Sequence, residues 1–552
     1  MMVQTSSYDR LIRNGWIVDG SGNPWFRADV GVKNARIVAL GDLSGAQAAS
    51  TIDAAGLVVC PGFIDIHNHS DISVLVRPQA ENMVMQGVTT MVIGNCGSSA
   101  APISPEASAI SGDFDVQDGV MAALAEQGIR WRTLAEYLAL VEKRGAAANV
   151  AALVGHGNVR TMVLGWDNRP PDAAEMASMR AHVAEAMEAG AFGLSFGLLY
   201  APGFFAALDE LIAVAEVAGR YGGFFGIHMR DERSPERYKA SVQEALDIGK
   251  GAGLPVHISH IEAHYPNWGT QAEVLQMLQD ARARGIDATC DVPPYLLSTS
   301  HLSVLVPDWA QDGGFARLLE RLADPITRKK INDFILAEKP FGTRFFLDGN
   351  WDKGWLGESA RNPQYTARSL AQIAAMRGVA PSFDVVFDLL LEEGQDLPGH
   401  AQLHSEEDMR ILVAHPLSMI ETDAGISTST TGAANPRGFG SFPMTFRKYV
   451  RGEDRADEPL ERGKKILTLQ EAVRKMTSAP AQRLGLRDRG LVREGMWADL
   501  VIFDADTIAD QTTCANPYQY PRGIHYVLVN GQVVVEKERH TGNLPGQVLR
   551  RP

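Results

Sequence analysis

From about residue 145, short apolar runs alternate with segments of helical period. Residues 149–156, apolar from Val150 to Val154, read as a strand. Residues 172–188 then carry Ala, Met and Glu at helical spacing, with Gly190 as a C-terminal stop. A strand at 191–194, a helix at 208–220 and a strand at 224–228 follow. Next comes a helix opened by Ser234 as N-cap with Pro235 at its first position. A strand at 255–260, a helix whose Thr270-Gln271-Ala272-Glu273 fits a capping box, and a strand at 286–292 continue the rhythm. Strands that are apolar throughout, separated by helices, predict a parallel sheet covered on both faces. Eight such units close into a TIM-type (β/α)8 barrel of the α/β class.

The rhythm breaks between about 298 and 353, where Trp309, Pro325 and Trp351 stand among mixed stretches. This predicts an insertion at the barrel mouth, of the kind that often gates a site. Helical period returns at 369–376 and 383–393, which are expected to resume the barrel. Residues 8–60 and about 485–540 are rich in Val, Ile, Gly and Asp. They carry the turn signals Asp19-Gly20, Ser21-Gly22 and Asn530-Gly531. The expected organisation is therefore a small β-sandwich domain built from 1–62 and 481–552 around a barrel at 63–480.

A length of 552 residues exceeds one ordinary domain and suits a barrel with a satellite. A net charge of −14, without a basic stripe, argues against nucleic-acid or anionic-membrane partners. The first ten residues lack the pattern of a signal peptide, and no apolar run approaches the ~20 residues of a membrane span, so a cytoplasmic location is expected. Four cysteines, Cys60, Cys96, Cys290 and Cys514, lack the spacing of a disulfide framework. Three are expected to be buried thiols. Cys96 differs, because a Gly-Asn-Cys-Gly turn at a strand end can present a thiolate to a cation. Oligomeric state is left open.

Candidate chemistry begins at His67 and His69, which end the apolar run 57–66. Residues i and i+2 of an extended strand share a face, so both rings can reach one metal ion. The alternative is two polar residues satisfied by hydrogen bonds at a strand end. Cys96, His228, His260 and Asp423 each follow a further apolar run. In a barrel of this kind the chemistry sits at the C-terminal strand ends, where all six residues fall. Within 256–260, His257 and His260 differ by three and would point to opposite faces of a regular strand. His260 is taken as the ligand and His257 as structural. His264, His301, His400, His404, His525 and His540 are read as ordinary surface or loop residues.

Several motifs extend this picture. They are Pro61-Gly62-Phe63-Ile64-Asp65-Ile66-His67-Asn68-His69, Gly94-Asn95-Cys96-Gly97, the stretch from Gly193 to Gly203, His228-Met229-Arg230-Asp231-Glu232, the stretch from Pro436 to Pro443, and the late segment Ala498 to Asp504. With them the chain resembles the amidohydrolase superfamily, and within it the N-acyl-D-amino-acid deacylases. The resemblance covers essentially the whole chain. It implies a metallo-hydrolase barrel that cleaves a linear amide in a small-molecule substrate. Ser195 stands where hydantoinase-like members carry a bridging lysine. The resemblance hands that role to Cys96 and assigns one tightly held zinc to Cys96, His228 and His260. His67 and His69 complete that site or hold a second, weaker ion. Thiolate with imidazole suits zinc better than magnesium or calcium.

By the same resemblance, a water activated by the metal gives its proton to Asp423, which passes it to the leaving amine. The plainer role for Asp423 is an N-cap in Thr422-Asp423-Ala424-Gly425. Arg437 matches an arginine that binds the substrate α-carboxylate, and Tyr200 matches a tyrosine beside it. Three positions depart from the group's pattern. Glu262 replaces a lysine, Asn435 a histidine, and Pro293 a tyrosine in Asp291-Val292-Pro293-Pro294-Tyr295, leaving Tyr295 as the tyrosine on the substrate side. Glu262 in place of a cation favours neutral, basic or bulky substrates over N-acyl-D-aspartate or N-acyl-D-glutamate. The rival readings are hydrolysis of a cyclic amide such as a hydantoin, hydrolysis of a bulky xenobiotic amide, and a non-catalytic metal-binding barrel.

Overall fold

The computed structural model describes residues 7–103, 120–427, 435–456, 462–513 and 516–551. Cys514, expected to be a buried thiol, lies outside them, whereas Cys60 and Cys290 are buried. Eight strands form the central sheet: β1 (Phe63–Asp65), β2 (Val88–Ile93), β3 (Asn149–Gly155), β4 (Gly193–Gly197), β5 (Phe224–His228), β6 (Val256–Ile258), β7 (Ala288–Val292) and β8 (Ser418–Ile420). They are hydrogen-bonded in chain order and run parallel. The seam of this nearly closed barrel is drawn together just past the strand ends. There Asp423 N–H donates to His67 O and His69 N–H to Ala424 O, both at 3.1 Å. The closing contacts are thus made by the backbone of candidate site residues.

Helices Ala173–Glu188, Leu208–Arg220, Pro235–Ala252 and Gln271–Ala283 alternate with the strands. Asp172 and Glu175 form a reciprocal capping box, and the Ser234 hydroxyl caps Arg237 N–H. The capping box expected at Thr270 does not form. Its hydroxyl donates to Asn267 O at 2.6 Å, and the Asp408 carboxylate instead accepts from Gly269 N–H and Gln271 N–H. A cap supplied by another element leaves no local signature in the sequence.

Strands from both chain ends share one nine-stranded sheet, joined where Val58–Pro61 pairs antiparallel with Leu500–Phe503. Ile12, Val30, Val59, Leu500, Ile502 and Leu528 belong to one core there. Asp499 ties this sheet to the barrel: it accepts from Asn149 Nδ2 at the start of β3 and from Asn530 N–H, and it pairs with Arg489.

The insertion has its own three-stranded sheet, with Pro398–Ala401 between Ser298–His301 and Gly354–Leu356, and its own apolar core running from Leu302 to Leu403. It therefore extends well beyond 353. The helices Leu370–Met376 and Phe383–Glu393, expected to resume the barrel, bury Ile373, Val386 and Leu390 in this second core. A helical period gives the width of an apolar face but not which core receives it. Among the described residues, no helix is long and apolar enough to cross a membrane.

Candidate active site

The loop after β2 shows how local sequence builds the site. Gly94 and Gly97 have φ of +83° and +73°, and Cys96 between them has φ of +50°. A Cβ on Gly94 would lie 2.2 Å from Leu153 O, and one on Gly97 2.4 Å from Gly197 N, so both positions require glycine. Ser195 braces the turn: its hydroxyl donates to Gly94 O at 2.5 Å and accepts from Gly97 N–H at 3.0 Å. Asp71 holds the same loop through Gly94 N–H and Ala100 N–H. The net effect is to aim the Cys96 thiol into the barrel mouth.

His67 and His69 sit just beyond β1, after a bend at Ile66 and His67, fixed on one side by Asn68 N–H to Val92 O and on the other by the seam with Asp423 and Ala424. Their Nε2 atoms are 3.2 Å apart. Cys96 Sγ lies 3.3 Å from His67 Nε2, 3.3 Å from His260 Nε2 and 3.6 Å from His228 Nδ1. Asp423 Oδ1 is 3.1 Å from His69 Nε2 and 3.5 Å from His67 Nε2. All six residues thus converge, and donor atoms of His67, Cys96, His260 and Asp423 lie within 4.8 Å of one another. Ligands bonded to a tetrahedral zinc stand about 3.3–3.6 Å apart, so the donor set and its spacing fit a soft divalent ion.

Electrostatics agree with that fit. Burial opposes a thiolate at Cys96, but the His67 and His260 rings override it and hold the thiol well below its usual range. Burial also opposes an ionised Asp423, and Arg437 and His69 override it in the same way. Cys96, His260 and Asp423 all have positive φ, with His260 at +32° and Asp423 at +42°. Strained non-glycine backbone of this kind collects at working sites.

The cluster forms the floor of a cavity of about 300 Å³. The amidohydrolase family model matches residues 50–325 and 363–535, most of the chain. This chain belongs to the amidohydrolase family. It is 34% identical to the N-acyl-D-glutamate deacylase of Alcaligenes xylosoxydans xylosoxydans over 98% of this chain and 96% of that one. It is also 34% identical to the D-aminoacylase of the same organism, over 99% and 98%. The crystal structure of the N-acyl-D-glutamate deacylase from Bordetella bronchiseptica, complexed with zinc and a phosphonate mimic of the tetrahedral intermediate, superposes with a TM-score of 0.79. Its identity is 32%, covering 99% of this chain and all of that one. As a member of this family the protein is a hydrolase of amide bonds.

The substrate side of this amidohydrolase matches the sequence less closely. Arg437, Tyr200 and Glu262 line the cavity. Arg437 Nη1 is 2.7 Å from Asp423 Oδ2, and its buried Nε has no hydrogen-bond partner among the described residues. Asn435 holds the backbone of Arg437 through Oδ1 and bridges to Leu297 O and Thr299 Oγ1. The Tyr200 hydroxyl lies 3.4 Å from Ser300 Oγ, and its ring packs on His228 at 4.7 Å. Burial pushes Glu262 up to about 8, and its Oε2 also lacks a hydrogen-bond partner among the described residues. Tyr295 does not line the cavity; its hydroxyl is packed against Gly440, where a Cβ would come within 2.3 Å.

Two further corrections concern histidines. Strand alternation does not separate His257 from His260, because β6 ends at Ile258 and His260 sits in a left-handed turn. His257 lies within the barrel, its Nε2 2.9 Å from Asp291 Oδ2. His264 and His404, read as surface or loop residues, are buried cavity-lining groups with ring centroids 4.5 Å apart. Their pairing joins the loop after β6 to the end of the insertion, and no sequence period links positions so far apart.

Proposed function

We propose that this amidohydrolase is a zinc enzyme that deacylates N-acyl-D-amino acids, releasing a carboxylate and a D-amino acid. The observation that carries the reading is Asp423. One of its oxygens belongs to the donor cluster and the other pairs with Arg437. A substrate with a free carboxylate one carbon away from its scissile amide matches that separation, as an N-acyl amino acid does. The relatives' names supply the deacylase activity and the D configuration.

When bound, the metal supplies a Lewis acid that polarises a carbonyl and lowers the pKa of water. Cys96, His228 and His260 are its proposed ligands, with His67 and His69 completing the site or holding a second ion. Asp423, kept anionic by Arg437 and His69, is suited to accept a proton and to deliver it to the leaving nitrogen. Arg437 lines the cavity beside Asp423 and is suited to bind the substrate carboxylate, and the Tyr200 hydroxyl offers a second donor. Glu262 brings no cation to the cavity, so an acidic side chain would lose its hydration there without a partner. Neutral or bulky substrates are favoured over acidic ones. Cyclic-amide hydrolysis is the weaker reading, because Ser195 is consumed in bracing the Cys96 loop.

The test is incubation of zinc-loaded protein with paired N-acetyl-D and N-acetyl-L amino acids bearing neutral, basic and acidic side chains, with chiral chromatography of the products. Release confined to the D series is expected. Release from neither series, with zinc verified in the protein, would overturn the deacylase assignment.

A further inference from the structure

Beneath the donor cluster lie two buried groups that the chemistry above leaves unused, Asp291 and His257. Asp291 Oδ2 is 3.3 Å from His67 Nδ1 and 2.9 Å from His257 Nε2, while Oδ1 accepts the backbone N–H of His260. On the far side of the His257 ring, Nδ1 is 2.8 Å from Thr289 Oγ1. Arg483 Nε donates to that same hydroxyl oxygen at 2.9 Å, and Arg483 Nη2 pairs at 3.1 Å with Asp287, an exposed carboxylate ahead of β7. An unbroken series of hydrogen bonds therefore runs from His67 through the barrel to its opposite face.

We propose that Arg483, Thr289, His257 and Asp291 are positioning residues that together fix the tautomer and orientation of His67 as a metal ligand. The direction of each bond follows from donor chemistry. An ionised Asp291 can only accept, so His257 must carry its proton on Nε2. With one proton on the ring, His257 Nδ1 is a lone pair, which the Thr289 hydroxyl proton is there to meet. That hydroxyl turns toward the ring because Arg483, which can only donate, occupies its oxygen from the other side. Asp291 then accepts a second N–H, from His67 Nδ1. With a metal bound, His67 Nε2 would then offer it a lone pair beside Cys96 Sγ, 3.3 Å away; without metal the same nitrogen carries the proton that stabilises the thiolate. A histidine ligand whose second nitrogen donates to a carboxylate is held in orientation and made more basic. Through the His260 backbone the same carboxylate also fixes a second member of the cluster.

The inference rests on His67 being a metal ligand, and its test separates the two ideas. Thr289→Val removes the hydroxyl at nearly constant shape and touches no cluster residue. Zinc affinity of the metal-free protein is measured by competition with a chromophoric chelator for wild type, Thr289→Val, Thr289→Ser and His67→Ala. Thr289→Val is expected to bind zinc roughly ten- to a hundredfold more weakly, and Thr289→Ser to return close to wild type. If Thr289→Val does not fold, Thr289→Ala enters the same competition with the same expectation. Weakened binding by His67→Ala with wild-type affinity in the hydroxyl-free variant, or a Thr289→Ser variant no tighter than that variant, would overturn the positioning chain alone. Wild-type affinity in His67→Ala would overturn the ligand assignment beneath it.

Discussion

At the floor of the cavity, side chains are aimed by backbone that has almost no freedom. Cys96 stands between two obligatory glycines, His67 and His69 lie on the barrel seam, and His260 and Asp423 have left-handed backbone shortly after their strands. The outer wall is built differently. Phe315, Leu318 and Phe341 face the cavity from an insertion whose core is separate from that of the barrel. The floor inherits its geometry from strand ends that the whole barrel holds rigid, and the wall inherits its geometry from a smaller core that can adjust or open by itself. Chemistry should therefore be sensitive to changes at the floor, and substrate choice to changes at the wall and along the rim between them.

The largest effect expected is from Asp423→Asn. Loss of the proposed proton acceptor should lower kcat roughly 10²–10⁴-fold. Steady-state kinetics alongside metal analysis read this directly. A full complement of metal with kcat near wild type would remove Asp423 from the proton-transfer role and leave the floor without an assigned base. Gly97→Ala comes next. A methyl group 2.4 Å from Gly197 N at a φ of +73° must displace the Cys96 turn, and metal affinity should fall on the order of ten- to a hundredfold. Chelator competition measures it. Affinity equal to wild type would mean that the turn is softer than its contacts imply.

The same contrast explains what could be read from sequence. Helix 208–220 and strand 224–228 coincide with the observed elements, because apolar period and the strand's continuous burial are local properties. The six floor candidates were legible because each ends an apolar run in a fold that puts chemistry at strand ends. His260 joins the cluster for a reason that alternation could not supply, since its left-handed turn redirects the side chain after the strand has ended. Asp291 was visible only as part of a motif, and its grip on His67, His257 and the His260 backbone depends on three strands meeting inside the barrel. The wall was least legible. His264 meets His404 only once the insertion has folded back, and the two helices after 369 match either core equally well by period.

Glu262 lies on the boundary between the two regions, on the loop after β6 and along the cavity wall. Glu262→Lys should raise the ratio of kcat/KM for N-acetyl-D-glutamate over a neutral N-acetyl-D-amino acid about tenfold, equivalent to ~1.4 kcal/mol, by giving an acidic side chain a partner. An unchanged ratio across the substrate panel would show that selectivity is set elsewhere on the wall.

The smallest effect on catalysis is expected from Leu318→Ala, and it bears most directly on the separation of wall from floor. Leu318 is buried on helix Phe315–Ala323, packs in the insertion core and borders the cavity. Truncating a buried leucine costs roughly 2–5 kcal/mol, depending on how far the neighbours relax into the void. Here the cost falls on a core that shares no buried residue with the barrel core, so the insertion should open at lower denaturant than the barrel. Metal affinity should stay at the wild-type value while KM rises severalfold, because the wall that confines the substrate is populated for less of the time and the ligand geometry is untouched. Urea unfolding followed separately by tryptophan fluorescence and by metal release would resolve the two steps. Coincident transitions, with metal affinity falling in step with stability, would mean that floor and wall fold as one unit and that their different origins in the sequence have no energetic counterpart.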